Sequence, residues 1–173
     1  MNYEIITPSS PLWQRCLAIY LAAFPPDERR EPAELIARNG HHGYLFKAVT
    51  NNGKIAGILE TWEFSTFRFL EHIAIVPELQ GKGLGTEVLN DYLNQSVKPV
   101  LLEAEPPTDA VSLRRIQFYL NSGFSILDFD YTQPPYYPGK NSVPMVLMSN
   151  ASLQPVNIEE AVNIIKEKVY RNF

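Results

Sequence analysis

Residues 69–93 read FLEHIAIVPELQGKGLGTEVLNDYL. An apolar run closes at Val76, three glycines fall at Gly81, Gly83 and Gly85, and helical spacing begins at Leu84. Leu84, Val88, Leu89, Tyr92 and Leu93 share one face of a helix. The stretch therefore reads strand, glycine turn, helix. The first amides of a helix lack intrahelical partners and point outward along its dipole, so such a join is a ready anion site. Glycine lets the backbone approach a phosphate and adopt positive φ. A tight turn with no ligand would use the same residues, and the glycines alone do not choose between the two. The letters do exclude two nucleotide patterns. A P-loop needs Gly-Lys-Ser/Thr, whereas Lys82 stands between glycines. A dinucleotide fingerprint needs G-x-G-x-x-G, whereas the third glycine here comes too early.

Outward from this join the pattern predicts a strand at Tyr3 to Ile6 and a helix through Leu12, Cys16, Ile19, Tyr20 and Ala23. Ser9 or Ser10 would cap that helix, and Pro25-Pro26 would stop it. Pro32 opens a short helix. Strands are predicted at Tyr44 to Thr50, Ile55 to Phe64 and Phe67 to Val76, with Asn-Gly marking the first hairpin. Val100 to Ala104 is a strand, Asp109 to Ser122 a helix ended by Gly123, and Phe124 to Tyr131 pairs with Val143 to Met148. Ile158 to Tyr170 is an amphipathic helix. This order gives an α/β fold: a mixed, mostly antiparallel central sheet with helices on its faces and a βαβ-like unit in the middle.

The 173 residues suit one domain, and 45% apolar with 20% charged residues suits a chain that buries a core. No stretch reads as a linker, repeat or low-complexity segment. Residues 1–150 form the expected catalytic domain, and 151–173 a helical extension of it. A net charge of −4 argues against nucleic acid and suits a cationic substrate. One cysteine, Cys16, precludes an internal disulfide and fits a reducing compartment. No apolar run reaches the roughly 18 residues of a membrane span, and no signal peptide is legible, so a cytoplasmic location is expected. His41-His42 lacks ligand spacing and an accompanying acidic cluster, so no metal is expected.

Gln80, Gly83 and Gly85 fit [Gln/Arg]-x-x-Gly-x-[Gly/Ala], and after HIAIVPEL this resembles the acetyl-CoA-binding motif of the GNAT N-acetyltransferase superfamily. In SLRRIQFYLNSGF, Tyr119, Gly123 and Phe124 are similar to the family's later Tyr-x-x-x-Gly-Phe block. The resemblance covers roughly residues 3 to 148. It implies a splayed strand pair, acetyl-CoA as cosubstrate, and direct acyl transfer to a primary amine in a ternary complex. It places the backbones of Ile73 and Ile75 on the pantetheine and acetyl carbonyl. It places the diphosphate on the amides of Gln80, Gly81, Gly83, Gly85 and Thr86, with Lys82 either adding charge or simply solvated. Tyr119 matches the tyrosine that protonates the leaving thiolate. Ser112 stands where members often carry Asn, and its hydroxyl offers at most one hydrogen bond to the pantetheine arm.

Such a transfer needs a base, because an alkyl amine is mostly protonated at neutral pH. Glu60, Glu71, Glu103 and Glu105 lie within or near strands. Glu103 closes the run VLLE where some members place their base. Glu71 lies two positions before Ile73, so alternation puts it on the same face, with His72 opposite. Each would otherwise pair with an arginine such as Arg68, or face solvent. The acceptor, a small-molecule or peptide amine, would lie between AFPPDERREPAEL and QPPYYPGK, where Tyr136 and Tyr137 wall a pocket or serve a rigid loop. The competing reading is a non-catalytic coenzyme-A-binding regulatory module. The apolar stripe Ile158, Ala161, Val162, Ile165 and Val169 must be covered by its own domain or by a second subunit of a homodimer.

Overall fold

The computed structural model describes residues 1–153 and 157–171. Its elements run β1 (Asn2–Ile5), α1 (Trp13–Ala23), α2 (Pro32–Arg38), β2 (Tyr44–Asn51), β3 (Lys54–Glu63) and β4 (Arg68–Ile75). There follow α3 (Leu84–Leu93), β5 (Val100–Ala104), α4 (Ala110–Asn121), β6 (Ser125–Ile126), β7 (Tyr131–Gln133), β8 (Val143–Ser149) and α5 (Ile158–Ile165). A π-turn, Lys166–Tyr170, extends α5. The sheet order is β1-β2-β3-β4-β5-β8-β6, with β7 also on β8. Among the strands of the described residues, β4 and β5 alone pair in parallel; the other strand pairings are antiparallel. This is the mixed, mostly antiparallel sheet expected from the element order.

Strand alternation divides the core in two. Ile58 and Phe69 face one layer with Trp13, Cys16 and Tyr20 of α1, Leu35 of α2, and Ala161, Ile165 and Val169 of the C-terminal helix. Leu59 and Leu70 face the other with Val88, Leu89 and Tyr92 of α3 and Ile116 and Tyr119 of α4. The apolar stripe of α5 is thus covered by its own domain. Asn52 and Gly53 both take positive φ, 50° and 73°, as a two-residue hairpin turn requires.

Two departures from expectation matter for function. The predicted strand Phe124 to Tyr131 is broken. Ile126 pairs with Met148 and Tyr131 with Met145, so four residues, 127–130, oppose two on β8; the Leu127 amide still donates to Leu147 O at 2.9 Å, and the rest loop out. The second departure is a bulge in β4. Glu60 pairs with His72 but Thr61 pairs with Leu70, which leaves Glu71 as an extra residue. Alternation therefore fails at this point. Glu71 does not share the face of Ile73; it and His72 both turn toward the α1 layer, while Ile73 packs in the α3–α4 layer.

Candidate active site

β4 and β5 pair only over Arg68–Leu70 and Val100–Leu102. Beyond Leu70 they separate, and a cleft of about 1050 Å³ opens through the sheet. At one mouth stand Ile75, Gln80, Gly81, Gly85 and Tyr119; deeper lie Ile73, Glu103 and Glu71; at the far side are Phe24, Glu28, Gln133, Tyr136 and Tyr170. The Val76 amide donates to Ala56 of β3 at 2.9 Å. Alternation then turns the backbone groups of Ile73 and Ile75 away from β3, toward the gap. The carbonyl of Ile75 is already engaged there by Gln80 Nε2 at 2.8 Å, which leaves Ile73 as the better-placed strand residue for a ligand.

The glycine loop has the properties of an anion cradle. Gly81 and Gly83 adopt φ of 73° and 82°. Gly83 is the N-cap of α3, with no side chain capping it, and the first intrahelical bond runs from Glu87 N to Gly83 O. The amides of Leu84, Gly85 and Thr86 therefore precede the first helical hydrogen bond. Not every sequence candidate serves this way. The Gln80 amide donates to Pro77 O, and its side chain clasps Ile75, so Gln80 shapes the loop. Lys82 Nζ donates to the Glu78 carbonyl at 2.8 Å and lies outside the cleft lining. Ser112 is buried in the capping box of α4: it accepts from the Asp109 amide at 3.0 Å, and its amide donates to the Asp109 carboxylate. Its hydroxyl is committed to the cap, not the cleft. The loop amides that remain open fit a diphosphate.

Glu103 sits where β5 has lost β4 as a neighbour. Tyr131 donates to its Oε1 and Tyr170 to its Oε2, both at 2.6 Å. Burial pushes its carboxyl up to about 7, against the two tyrosine hydrogen bonds, which pull it down; Glu71 adds to the rise and His72 opposes it. Tyr119 lines the same cleft, packed against Phe118 and Phe124. Burial raises its hydroxyl to about 12, with Arg115 pulling the other way.

Glu71 occupies a different environment. Arg30 donates to its Oε1, as does Tyr136 at 2.9 Å, and Trp62 Nε1 donates to its Oε2 at 2.6 Å. The same Arg30 reaches Glu60 Oε1 at 3.1 Å, which also accepts from Tyr44 at 2.7 Å. His72 joins Glu60 Oε2 to the Glu28 carbonyl, at 2.6 and 2.9 Å. A carbonyl only accepts, so Nε2 carries a proton, and Nδ1 carries one when the ring is charged. Burial alone would lower His72, but Glu60, Glu71 and the Glu28 carbonyl hold it above its ordinary value of 6.5. Burial would raise Glu60, but His72, Arg30 and Tyr44 hold it below 4.5. Glu60, Glu71 and His72 cluster closely enough to ligate a metal. The guanidinium of Arg30 already stands between the two carboxylates, so the site is built as a buried charge network. Arg68 serves neither glutamate. It is buried and donates to the carbonyls of Tyr92, Leu93 and Ser96, at the end of α3 where the helix dipole favours a cation.

No helix among the described residues is long and apolar enough to cross a membrane. A search of curated proteins found no match. Among solved structures, a Bacteroides thetaiotaomicron chain placed in the GNAT family of acetyltransferases superposes with a TM-score of 0.90 at 28% identity, over 98% of both chains. A GNAT family acetyltransferase of Elizabethkingia anophelis with acetyl-CoA bound gives 0.58 at 18% identity, over 86% of this chain and 95% of that one. The ribosomal-protein-S18-alanine N-acetyltransferase of Escherichia coli gives 0.58 at 20%, over 91% and 99%. The family model for the GNAT acetyltransferases matches residues 13–124, which run from α1 through α4 and include both sequence blocks at the cleft, and the chain therefore belongs to the GNAT acetyltransferase family.

Proposed function

We propose that this acetyltransferase moves an acetyl group from acetyl-CoA to the nitrogen of a primary amine by direct attack, both substrates being bound together. The observation that carries this is the gap between β4 and β5. It sets the outward backbone of Ile73 and the carboxylate of Glu103 in one cleft that is continuous with the glycine loop. Acetyl-CoA supplies the activated acyl carbonyl. Amides of Gly81, Gly83, Leu84, Gly85 and Thr86 would receive its diphosphate. The Ile73 backbone would orient the acyl arm, as an added partner to an open strand edge.

Glu103 is the better base. An amine proton needs an acceptor that is ionised yet not pinned by a cation, and Glu103 titrates near neutrality. A carboxylate has about four acceptor positions, so two tyrosine bonds leave room for an amine or a water. Glu71 is held in an ion pair with Arg30 and keeps the fold of the acceptor side. Tyr119 is held protonated, so its role is a hydrogen bond to the departing sulfur, with proton transfer completed only as the sulfur takes up charge. On the acceptor side, Glu28 adds a further carboxylate to the cleft lining beside the apolar wall of Ala22, Ala23 and Phe24, while Glu105 on the same lining is paired with Arg115. Carboxylates beside an apolar wall suit an amine whose charge is carried on an apolar or short polar body.

The test is calorimetric titration of acetyl-CoA into wild type and Gly83→Glu, with thiol release measured over a panel of primary amines. Binding by wild type, loss in a folded Gly83→Glu, and turnover with some amine are expected. Binding without turnover by any amine would favour a regulatory coenzyme-A module, and no binding by wild type would remove the foundation of the reading.

A further inference from the structure

The family model ends at residue 124, yet both side chains that donate to the Glu103 carboxylate come from beyond it. Tyr131 opens β7. Tyr170 ends the π-turn after α5, and its hydroxyl travels 67 positions in sequence to reach Glu103. That turn is fixed from several sides. Arg30 Nη2 donates to the Val169 carbonyl at 2.8 Å, and Arg38 donates to the carbonyls of Lys168 at 3.1 Å and Arg171 at 2.6 Å. Val169 is buried in the α1 layer, and the Tyr170 ring lies 4.9 Å from that of Tyr136. Extra-residue turns of this kind are rare and concentrate at functional sites. Here the turn aims one hydroxyl at one carboxylate oxygen while Tyr131 takes the other.

We propose that Tyr170 is a positioning residue for Glu103, and that the C-terminal helix and its π-turn are therefore a working part of the active site. The proposal rests on Glu103 acting as the base. The two hydroxyls fix the carboxylate in one orientation and direct its remaining acceptor positions into the cleft. They also oppose burial. Both tyrosines are held protonated, Tyr131 and Tyr170 each being raised by burial and by Glu103, so they donate at any working pH. Of the charged groups, Glu71 of β4 raises Glu103 and His72 of β4 lowers it. Removal of the Tyr170 hydroxyl takes away one of the two bonds that keep Glu103 ionisable at neutral pH.

The test compares wild type, Tyr170→Phe, Tyr131→Phe and Glu103→Gln. Glutamate side chains carrying a 13C carboxyl label are titrated by NMR, with Glu103→Gln assigning the resonance. In parallel, thiol release from acetyl-CoA is followed against pH with the best primary amine of the panel. In Tyr170→Phe the Glu103 resonance is expected to titrate at higher pH than in wild type. At pH 7, kcat falls about tenfold, as the ionised fraction would, while acetyl-CoA binding and the melting temperature change little. Tyr131→Phe moves both readouts the same way, and Tyr170→Phe adds nothing further in a Glu103→Gln background. An unmoved Glu103 titration in Tyr170→Phe overturns the proposal. If instead the titration moves but Glu103→Gln keeps full turnover, the base assignment fails and the positioning role for catalysis fails with it.

Discussion

Glu103, the base proposed above, sits where burial sets its carboxylate against stability. Its folded carboxyl titrates near 7, against an ordinary value of 4.5. Above pH 7 the folded chain must hold an anion in poor solvent that the unfolded chain holds in water. Below 4.5 both states are protonated and the difference vanishes. By linkage the penalty at high pH is about 3 kcal/mol at most, since each tenfold in protonation is about 1.4 kcal/mol. Two outcomes follow for Glu103→Gln. Turnover falls by about 10² or more, the usual contribution of a positioned base, and the acid limb of the rate profile near pH 7 disappears. Urea unfolding at pH 8 shows the variant as stable as wild type or more so, and the gain fades as pH drops toward 4.5. A variant that loses both activity and stability at pH 8 would mark Glu103 as structural. Tyr119→Phe is milder: it should lower kcat about tenfold to a hundredfold while leaving acetyl-CoA affinity intact in calorimetry.

At the scale of elements, the join between β4 and α3 was legible because glycines, helical spacing and the preceding apolar run all speak locally. The mixed, mostly antiparallel sheet followed from the element order, and its first hairpin from the Asn-Gly turn. What the letters did not carry was the bulge at Glu71, because a bulge is a property of two strands and appears only when β3 fixes the register. It reversed the face assigned to Glu71, while His72 stands opposite Ile73 as alternation requires. Tyr131 and Tyr170 were equally hidden: nothing periodic marks a hydroxyl that will meet a carboxylate on a distant strand. A signal did exist at Glu60, a charge amid the apolar run of β3, which demanded a buried partner without naming Arg30. β3 also fixes how close β4 can come. A Cβ on Gly57 would lie 2.1 Å from the Ala74 carbonyl oxygen. Backbone cannot yield as a side-chain tip can, so Gly57→Ala should push β4 outward beside Ile73. The expected cost is about 1–3 kcal/mol in urea unfolding. Acetyl-CoA affinity should weaken as well, although residue 57 lies outside the cleft lining. Full affinity in that variant would mean that the β4 backbone does not orient the acyl arm.

Across the whole molecule, Arg30 joins parts that chain order keeps apart. It lies between the first two helices, bridges Glu60 of β3 and Glu71 of β4, holds the Val169 carbonyl of the C-terminal turn, and stacks 4.8 Å from Tyr136. Its removal would leave two buried carboxylates without the guanidinium between them, held by His72 and by hydrogen bonds from Tyr44, Trp62 and Tyr136. Arg30→Met fills similar volume without the charge, and breaking one side of a buried network costs about 3–5 kcal/mol. The pH dependence follows from the two groups that titrate within it. His72 is held above 6.5, so its contribution is complete below 6.5 and is lost as pH rises through its folded value. Glu60 is held below 4.5, so its contribution is complete above 4.5 and is lost as pH falls through its folded value. Glu103 adds its penalty as pH rises from 4.5 to 7. All three set the stability maximum of the wild type in mildly acidic solution, between 4.5 and 6.5. Urea unfolding from pH 4 to 9 should show that maximum. It should also show Arg30→Met falling furthest behind at the alkaline end, where His72 no longer compensates the carboxylates. A maximum above pH 7, or a constant gap between the two proteins across the range, would mean that the buried charges do not govern the fold.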